Sequence, residues 1–235
     1  MKIDILTLFP EFTRSYTEMS VIGRAVSSKK IEINSHNIRD FTLNKQKQVD
    51  DAPYGGRQGM LMTAQPIYDC YMSIASKSDK KPHTIFMSPS GTVLTQDRAK
   101  ELSEMDEIII ICGHYEGVDQ RVVDEIVDEE ISIGDYVVSG GELPALILVD
   151  SIARLCDGVL SERAGFEDES HYHGLLEHPQ YTRPEVWRGR RVPEVLLSGH
   201  HANIAKWKEE KSIERTKERR KDLYERFLES RKKEK

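Results

Sequence analysis

Through the first 160 residues, short apolar runs alternate with amphipathic stretches. Residues 3–9 read as a strand that stops at Pro10, and residues 31–37 as a short alternating strand. Between them, residues 15–27 carry a helical pattern. Residues 84–87 read as a buried strand, followed by the turn Ser88-Pro89-Ser90-Gly91. Residues 96–105 form a polar helix. Residues 108–112, IIIIC, are apolar at every position, as a central strand covered on both faces requires. A helical segment follows at 118–127, then a strand-like run at 131–138 interrupted by Gly134. Beyond Ser139-Gly140-Gly141, Pro144 suits the first turn of a helix running to Cys156, because its missing N–H costs nothing there. Strands that alternate with helices predict an α/β domain with a mainly parallel sheet.

Residues 161–187 lose this periodicity and read as a linker or functional loop. Helical patterning returns over 197–230, with Ser198 or His200 opening one helix and weak 3.6-residue periodicity at 205–217 and 221–231. A chain of 235 residues holds one medium domain, or one with a small appendage, and can bury a core without disulfides or metals. No run approaches the roughly eighteen apolar residues of a membrane-spanning helix. The opening MKIDILTLFPEF reaches acidic and proline residues too early for a signal peptide. Cys70, Cys112 and Cys156 are far apart with no CxxC pair, so a reducing, cytoplasmic location is expected.

Charge changes the picture. The net charge of −6 divides into −13 over residues 1–187 (18 Lys/Arg, 31 Asp/Glu) and +7 over 188–235 (16 Lys/Arg, 9 Asp/Glu). A basic tail on an acidic body fits a nucleic-acid partner, and equally a solvated helix surface laced with i,i+4 pairs.

The usual dinucleotide, P-loop, esterase and zinc-protease motifs are absent. Three glycine-containing loops instead follow strands: 88–91, 113–117 and 133–141. In α/β folds ligands bind beyond the carboxyl ends of strands, where three such loops can meet around one small molecule. A further glycine-rich stretch, Asp50-Asp51-Ala-Pro-Tyr-Gly-Gly-Arg-Gln-Gly, fits either a surface connection or a wrap around a planar group. Arg154 stands four residues after Asp150, the spacing of an ordinary helical ion pair. Asp168, Glu169, His171 and His173 crowd the linker. A carboxylate there suits a general base, but His-x-His without a third ligand makes no metal site.

Taken in order, these pieces resemble the bacterial tRNA (guanine-N1)-methyltransferases. The resemblance runs from LTLFPEF and GRAV through VDDAPYGG, GMLM, SPSG, CGHYEGVDQRV and ISIGDYVVSGGELPA to GLLEHPQYTRPEV and VPEVLLSGHHANI. It implies a SPOUT-type α/β trefoil-knot fold at 1–160, a linker at 161–176 and a basic helical tRNA-binding domain at 177–235. It also implies a homodimer with the active site between subunits and tRNA as partner. S-adenosylmethionine (SAM) is the implied cofactor, and Mg2+ a further one described for family members.

Carried over by position, the cofactor loops are Met87, Ser88, Pro89 and Gly91; Gly113, Tyr115, Glu116 and Gly117; then Ile133, Gly134, Asp135, Tyr136, Val137, Val138, Gly140, Gly141 and Pro144. The substrate positions are Asp50, Tyr54, Gly55, Gly56 and Gly59, with Ser198 and Arg215 from the C-terminal part. The resemblance implies that Arg154 assists the charge developing on guanine O6 and that a loop carboxylate takes the N1 proton. Aligned without a gap, the base position holds Glu169, where the family has aspartate, and Asp168 stands one place earlier as its rival. Arg57 occupies the place of a usual third glycine. These departures leave room for another RNA target, or for a silent RNA-binding homologue.

Overall fold

In the computed structural model, residues 1–56, 58–160, 166 and 169–233 are described, and they fall into two compact units, Met1–Ser161 and Glu162–Lys235. The first unit runs β1 (Lys2–Thr7), α1 (Pro10–Thr17), α2 (Ser20–Ser27), β2 (Glu32–Asn37), a 3-10 turn (Ile38–Phe41), β3 (Asp50–Asp51) and β4 (Leu61–Met62). It continues with α3 (Ala64–Ala75), β5 (His83–Val93), α4 (Gln96–Ser103), β6 (Glu107–Cys112), α5 (Gln120–Ile126), β7 (Glu129–Ser132) and α6 (Glu142–Ala153).

Five strands form one parallel sheet in the order β2-β1-β6-β5-β7. The apolar run of β6 lies inside it, with Ile108 opposite Ile3 and Ile110 opposite Ile5. Strand alternation sends its side chains to two cores. Ile108, Ile110 and Cys112 pack with Leu148, Val149 and Ile152 of α6, while Ile109 and Ile111 pack with Ile67, Cys70 and Ile74 of α3. Both faces are therefore covered, which is why residues 108–112 of this strand are all apolar.

Four expectations need correction. The helix expected at 15–27 is two helices, because Ser20 adopts a left-handed φ of 56° and turns the chain between them. The strand expected at 131–138 ends at Ser132, where the chain leaves the sheet and Gly134 takes a φ of 140°. The turn at 88–91 lies within β5 as an irregularity: Met87 and Thr92 both pair with Ile131. At Gly91 a Cβ would fall 2.4 Å from the Glu130 carbonyl carbon, so only glycine lets β5 approach β7 this closely. Finally, the helix expected from Pro144 to Cys156 spans Glu142–Ala153.

The second unit contains a small antiparallel hairpin, β8 (Val186–Trp187) with β9 (Arg190–Arg191), then α7 (Glu194–Leu197), α8 (His201–Arg219) and α9 (Lys221–Lys233). The segment before the hairpin is tied to α8. Thr216, fully buried, accepts the Leu176 N–H at 2.9 Å on its Oγ1, and Arg215 donates to the Glu177 carbonyl at 3.3 Å. Among the described residues no helix is long and apolar enough to cross a membrane.

Candidate active site

The carboxyl ends of β5, β6 and β7 all open at one end of the sheet, since the strands are parallel. The loops leaving them enclose a cavity of about 350 Å3, a size suited to a cofactor or small ligand. Of the residues expected there, Met87, Ser88 and Pro89 line it from the first loop, and Gly113, Tyr115, Glu116 and Gly117 from the second. Ile133, Tyr136, Val137, Val138, Gly140, Gly141 and Pro144 line it from the third. Gly91, Gly134 and Asp135 do not reach the wall. Phe86, His114, Ile131, Ser132 and Ser139 also line it. Residues 86, 131 and 132 carry no loop signal in the sequence because they belong to strands β5 and β7, while His114 and Ser139 lie inside the loops already delimited.

The loops are locked to one another. Gly141 N–H donates to the Gly113 carbonyl at 2.8 Å, and His114 and Gly140 form an isolated antiparallel bridge. Glu142, buried at the start of α6, accepts a hydrogen bond from Thr7 at the end of β1. The nearby Cys112 thiol is pushed well above its ordinary value by complete burial and then by the Glu142 carboxylate. A thiol held protonated in this way packs and does not react.

Tyr115 takes a left-handed φ of 59°, and its hydroxyl accepts from Arg39 at 3.3 Å. The glycine-rich stretch is brought to the same loop. β3 and β4 pair antiparallel, Asp50 with Met62 and Asp51 with Leu61. Beyond them Glu116 N–H donates to Met60 and Met62 N–H to Gly117, both at 3.0 Å. Gly59 packs against the side chain of Glu116. Tyr54, 99% exposed, and Gly55 and Gly56 stand at the open tip. Arg57 lies outside the described residues.

Arg154 caps the C-terminal end of α6 and is half-buried. Ten residues separate it from Pro144 at the cavity, a rise of about 15 Å along a helix. Asp150, which spacing alone offers to Arg154, accepts the Tyr16 hydroxyl at 2.7 Å.

Glu169 belongs to the second unit, where it lines a separate hollow with His173, His178, His201, Lys208 and Ser212, among others. Its backbone N–H donates to the Phe166 carbonyl at 3.2 Å. Asp168 lies outside the described residues. Ser198 follows α7, bonded to the Val195 carbonyl at 2.7 Å, and Arg215 spans to Glu177 as above. Among the described residues no group of three or more His, Cys, Asp or Glu side chains is arranged to hold a metal.

A five-stranded parallel sheet flanked by helices, with strand-end loops closed around one cavity, defines an α/β domain of the SPOUT class. The family model for tRNA (Guanine-1)-methyltransferase TrmD matches residues 1–226, and the chain belongs to that family. Proteins called tRNA (guanine-N(1)-)-methyltransferase are similar throughout. The one from Ruminiclostridium cellulolyticum is 55% identical over 95% of this chain and 96% of its own length. That from Clostridioides difficile is 54% identical over 95% and 97%, and that from Alkaliphilus oremlandii 52% over 97% and 94%.

Proposed function

We propose that the chain methylates N1 of the guanosine immediately 3′ of the tRNA anticodon, using SAM. The observation that carries this reading is the convergence of the three strand-end loops on one cavity in a chain of this family. The apolar wall of Met87, Ile133, Val138 and Pro144 suits an adenine and a methylene chain, and backbone groups of the glycine loops suit the ring edges. Bound there, SAM supplies an electrophilic sulfonium methyl group. In this reading the three loops are those of the family's trefoil knot.

The remaining work falls to side chains. Neutral guanine N1 carries a proton and is a poor nucleophile, so a carboxylate must take that proton as the bond forms. Glu169 is assigned this role, with Asp168 as its rival. Arg154 is assigned to the negative charge that develops on O6. The guanine leaves its stack to reach the cavity, and the loop bearing Asp50, Tyr54, Gly55, Gly56 and Gly59 holds it. Ser198, Arg215 and the basic second unit take the tRNA backbone.

Two features support a homodimer with a shared site. Arg154 is about 15 Å along its helix from its own cavity, too far for one guanine to meet both, so a partner's cavity is the natural place for it. Phe12 and Tyr16 on α1, the following Met19, and Leu143 and Ile147 on α6 leave large apolar surfaces in solvent on packed helices. Such a patch marks an interface.

The test is methyl transfer from labelled SAM to an unmodified tRNA transcript with G at that position, beside the same transcript carrying A. Transfer to G alone is expected, and transfer to neither or to both overturns the reading. Parallel reactions with and without Mg2+ test the metal requirement. Glu169→Gln should abolish transfer; full transfer by that variant together with loss in Asp168→Asn reassigns the base.

A further inference from the structure

The basic residues of the second unit differ in what they do. Along α8, α9 and the residue between them, four are paired with carboxylates: Lys206–Glu210 at 3.9 Å, Lys211–Glu214 at 2.5 Å, Arg220–Asp222 at 2.6 Å and Arg231–Glu209 at 2.9 Å. In the β8–β9 hairpin, Arg191 likewise meets Glu185 at 2.7 Å. Yet among the described residues Arg183, Arg188 and Arg190 have no carboxylate within ion-pair distance, and all three are exposed. Three guanidinium groups without a carboxylate partner thus lie within the eight residues 183–190, two of them on the hairpin itself.

Its aromatic residue is equally unusual. Trp187 is 57% exposed, although indole is among the largest apolar side chains. Arg188 and Gly189 both take left-handed φ values, 50° and 78°, as in the tight two-residue turn that matches strand twist. Cross-strand register then sets Trp187 directly opposite Arg190, the arrangement in which side chains on one face meet. The Arg188 guanidinium lies 5.1 Å from the indole centroid. A planar ring more than half in solvent, with one guanidinium against it and another across the strand pair, neither bound to a carboxylate, matches a nucleobase face beside its own phosphates. Paired bases hide their faces, so the fitting partner is a single-stranded stretch. An acidic peptide would satisfy the arginines but leave the indole without a planar partner.

We propose that the β8–β9 hairpin is an RNA-binding site in which Trp187 stacks on an unpaired base and Arg188 and Arg190 hold the adjoining phosphates. That the RNA is tRNA rests on the function proposed above. The hairpin would then supply a contact separate from the grip on the target guanine.

The experiment titrates the full chain into a labelled, unmodified tRNA transcript and reads fluorescence anisotropy at several salt concentrations. Trp187→Ala should weaken binding about tenfold, while Trp187→Phe retains most of the affinity. Arg190→Gln should reduce the slope of log Kd against log salt by about one. Fully duplex RNA should bind Trp187→Ala and the unaltered protein alike. Unchanged melting temperature and SAM affinity in Trp187→Ala would confine the effect to the RNA contact. The proposal is overturned if Trp187→Ala binds tRNA as tightly as the unaltered protein, or loses duplex RNA to the same extent. Tighter competition by an acidic peptide than by single-stranded RNA also overturns it. Methyl transfer by the unaltered protein, measured alongside, separates the two readings. Transfer with Trp187-independent binding removes only the hairpin site. Trp187-dependent binding without transfer removes only the proposed reaction.

Discussion

Thr7 Oγ1 donates a hydrogen bond to Glu142 Oε1 at 2.8 Å, and both side chains are buried. The same hydroxyl accepts the Phe9 N–H at 2.9 Å. One threonine thus links the end of β1 to the first turn of α6, where a carboxylate also benefits from the helix N-terminus. Thr7→Val keeps the shape and removes the donor. It should cost roughly 1–3 kcal/mol, the penalty for leaving a buried acceptor unmatched. Urea unfolding measures the loss, and a change within a few tenths of a kcal/mol of zero would refute the link's importance.

Acid stability should depend on two carboxyls of the sheet, Glu129 on the edge strand β7 and Asp4 on the inner strand β1. Burial pushes Glu129 up, but hydrogen bonds from Arg98 and His83 outweigh it and hold the carboxyl below its ordinary 4.5. Burial likewise acts on Asp4, and its bonds to His36 and Lys2 hold it below 3.8. A depressed carboxyl stabilises the fold fully above its unfolded value and ceases to do so as pH falls through the folded one. Stability should therefore drop as pH descends below 4.5 for Glu129 and below 3.8 for Asp4. Arg98→Gln should lower stability near neutral pH and shrink the part of the acid drop that Glu129 supplies, seen in denaturant midpoints collected across the acid range.

Alkaline behaviour has a marker in Tyr16. Its bond to Asp150, then burial, pushes the phenol up to about 12. The stabilisation is complete below the ordinary value of 10 and disappears as pH rises through about 12. In Asp150→Asn one tyrosine should titrate earlier by phenolate absorbance, a change absent when Tyr16→Phe is already in place.

Gly91→Ala tests how β5 passes β7. The added methyl would meet backbone at 2.4 to 2.6 Å, atoms that cannot swing aside. A destabilisation of about 2 kcal/mol or more is expected, in the range of overpacked cores, together with weaker SAM binding by calorimetry. Wild-type binding in a stable Gly91→Ala protein would show that this loop is not held by the strand beside it.

The elements that sequence alone discloses are those whose pattern is local. IIIIC at 108–112 announces a two-sided strand without help from the rest of the chain. The order of strands does not show, because β1 meets β6 across a hundred residues of sequence. α3 is hidden in the sequence although Ile67, Cys70, Tyr71 and Ile74 carry helical spacing, since polar residues and Pro66 break the apolar run. The hairpin at 186–191 has only two residues per strand, too few to set up an alternation. For the site, the three loops were readable from glycines after apolar runs. The separation of Arg154 from the cavity was not, because it appears only once α6 is drawn as a straight rod.

The position of β1 has a consequence for synthesis on the ribosome. β1 is the first strand made, yet it lies between β2 and β6. Its second neighbour does not exist until Cys112 has been joined to the chain. Until then Ile3 and Ile5 lack the strand and helix that later cover them, and a nascent chain presents a hydrophobic edge open to pairing with others. Translation that stalls before residue 112 should release aggregation-prone fragments, whereas a stall beyond Ala153, with α6 made, leaves β1 flanked on both sides and covered.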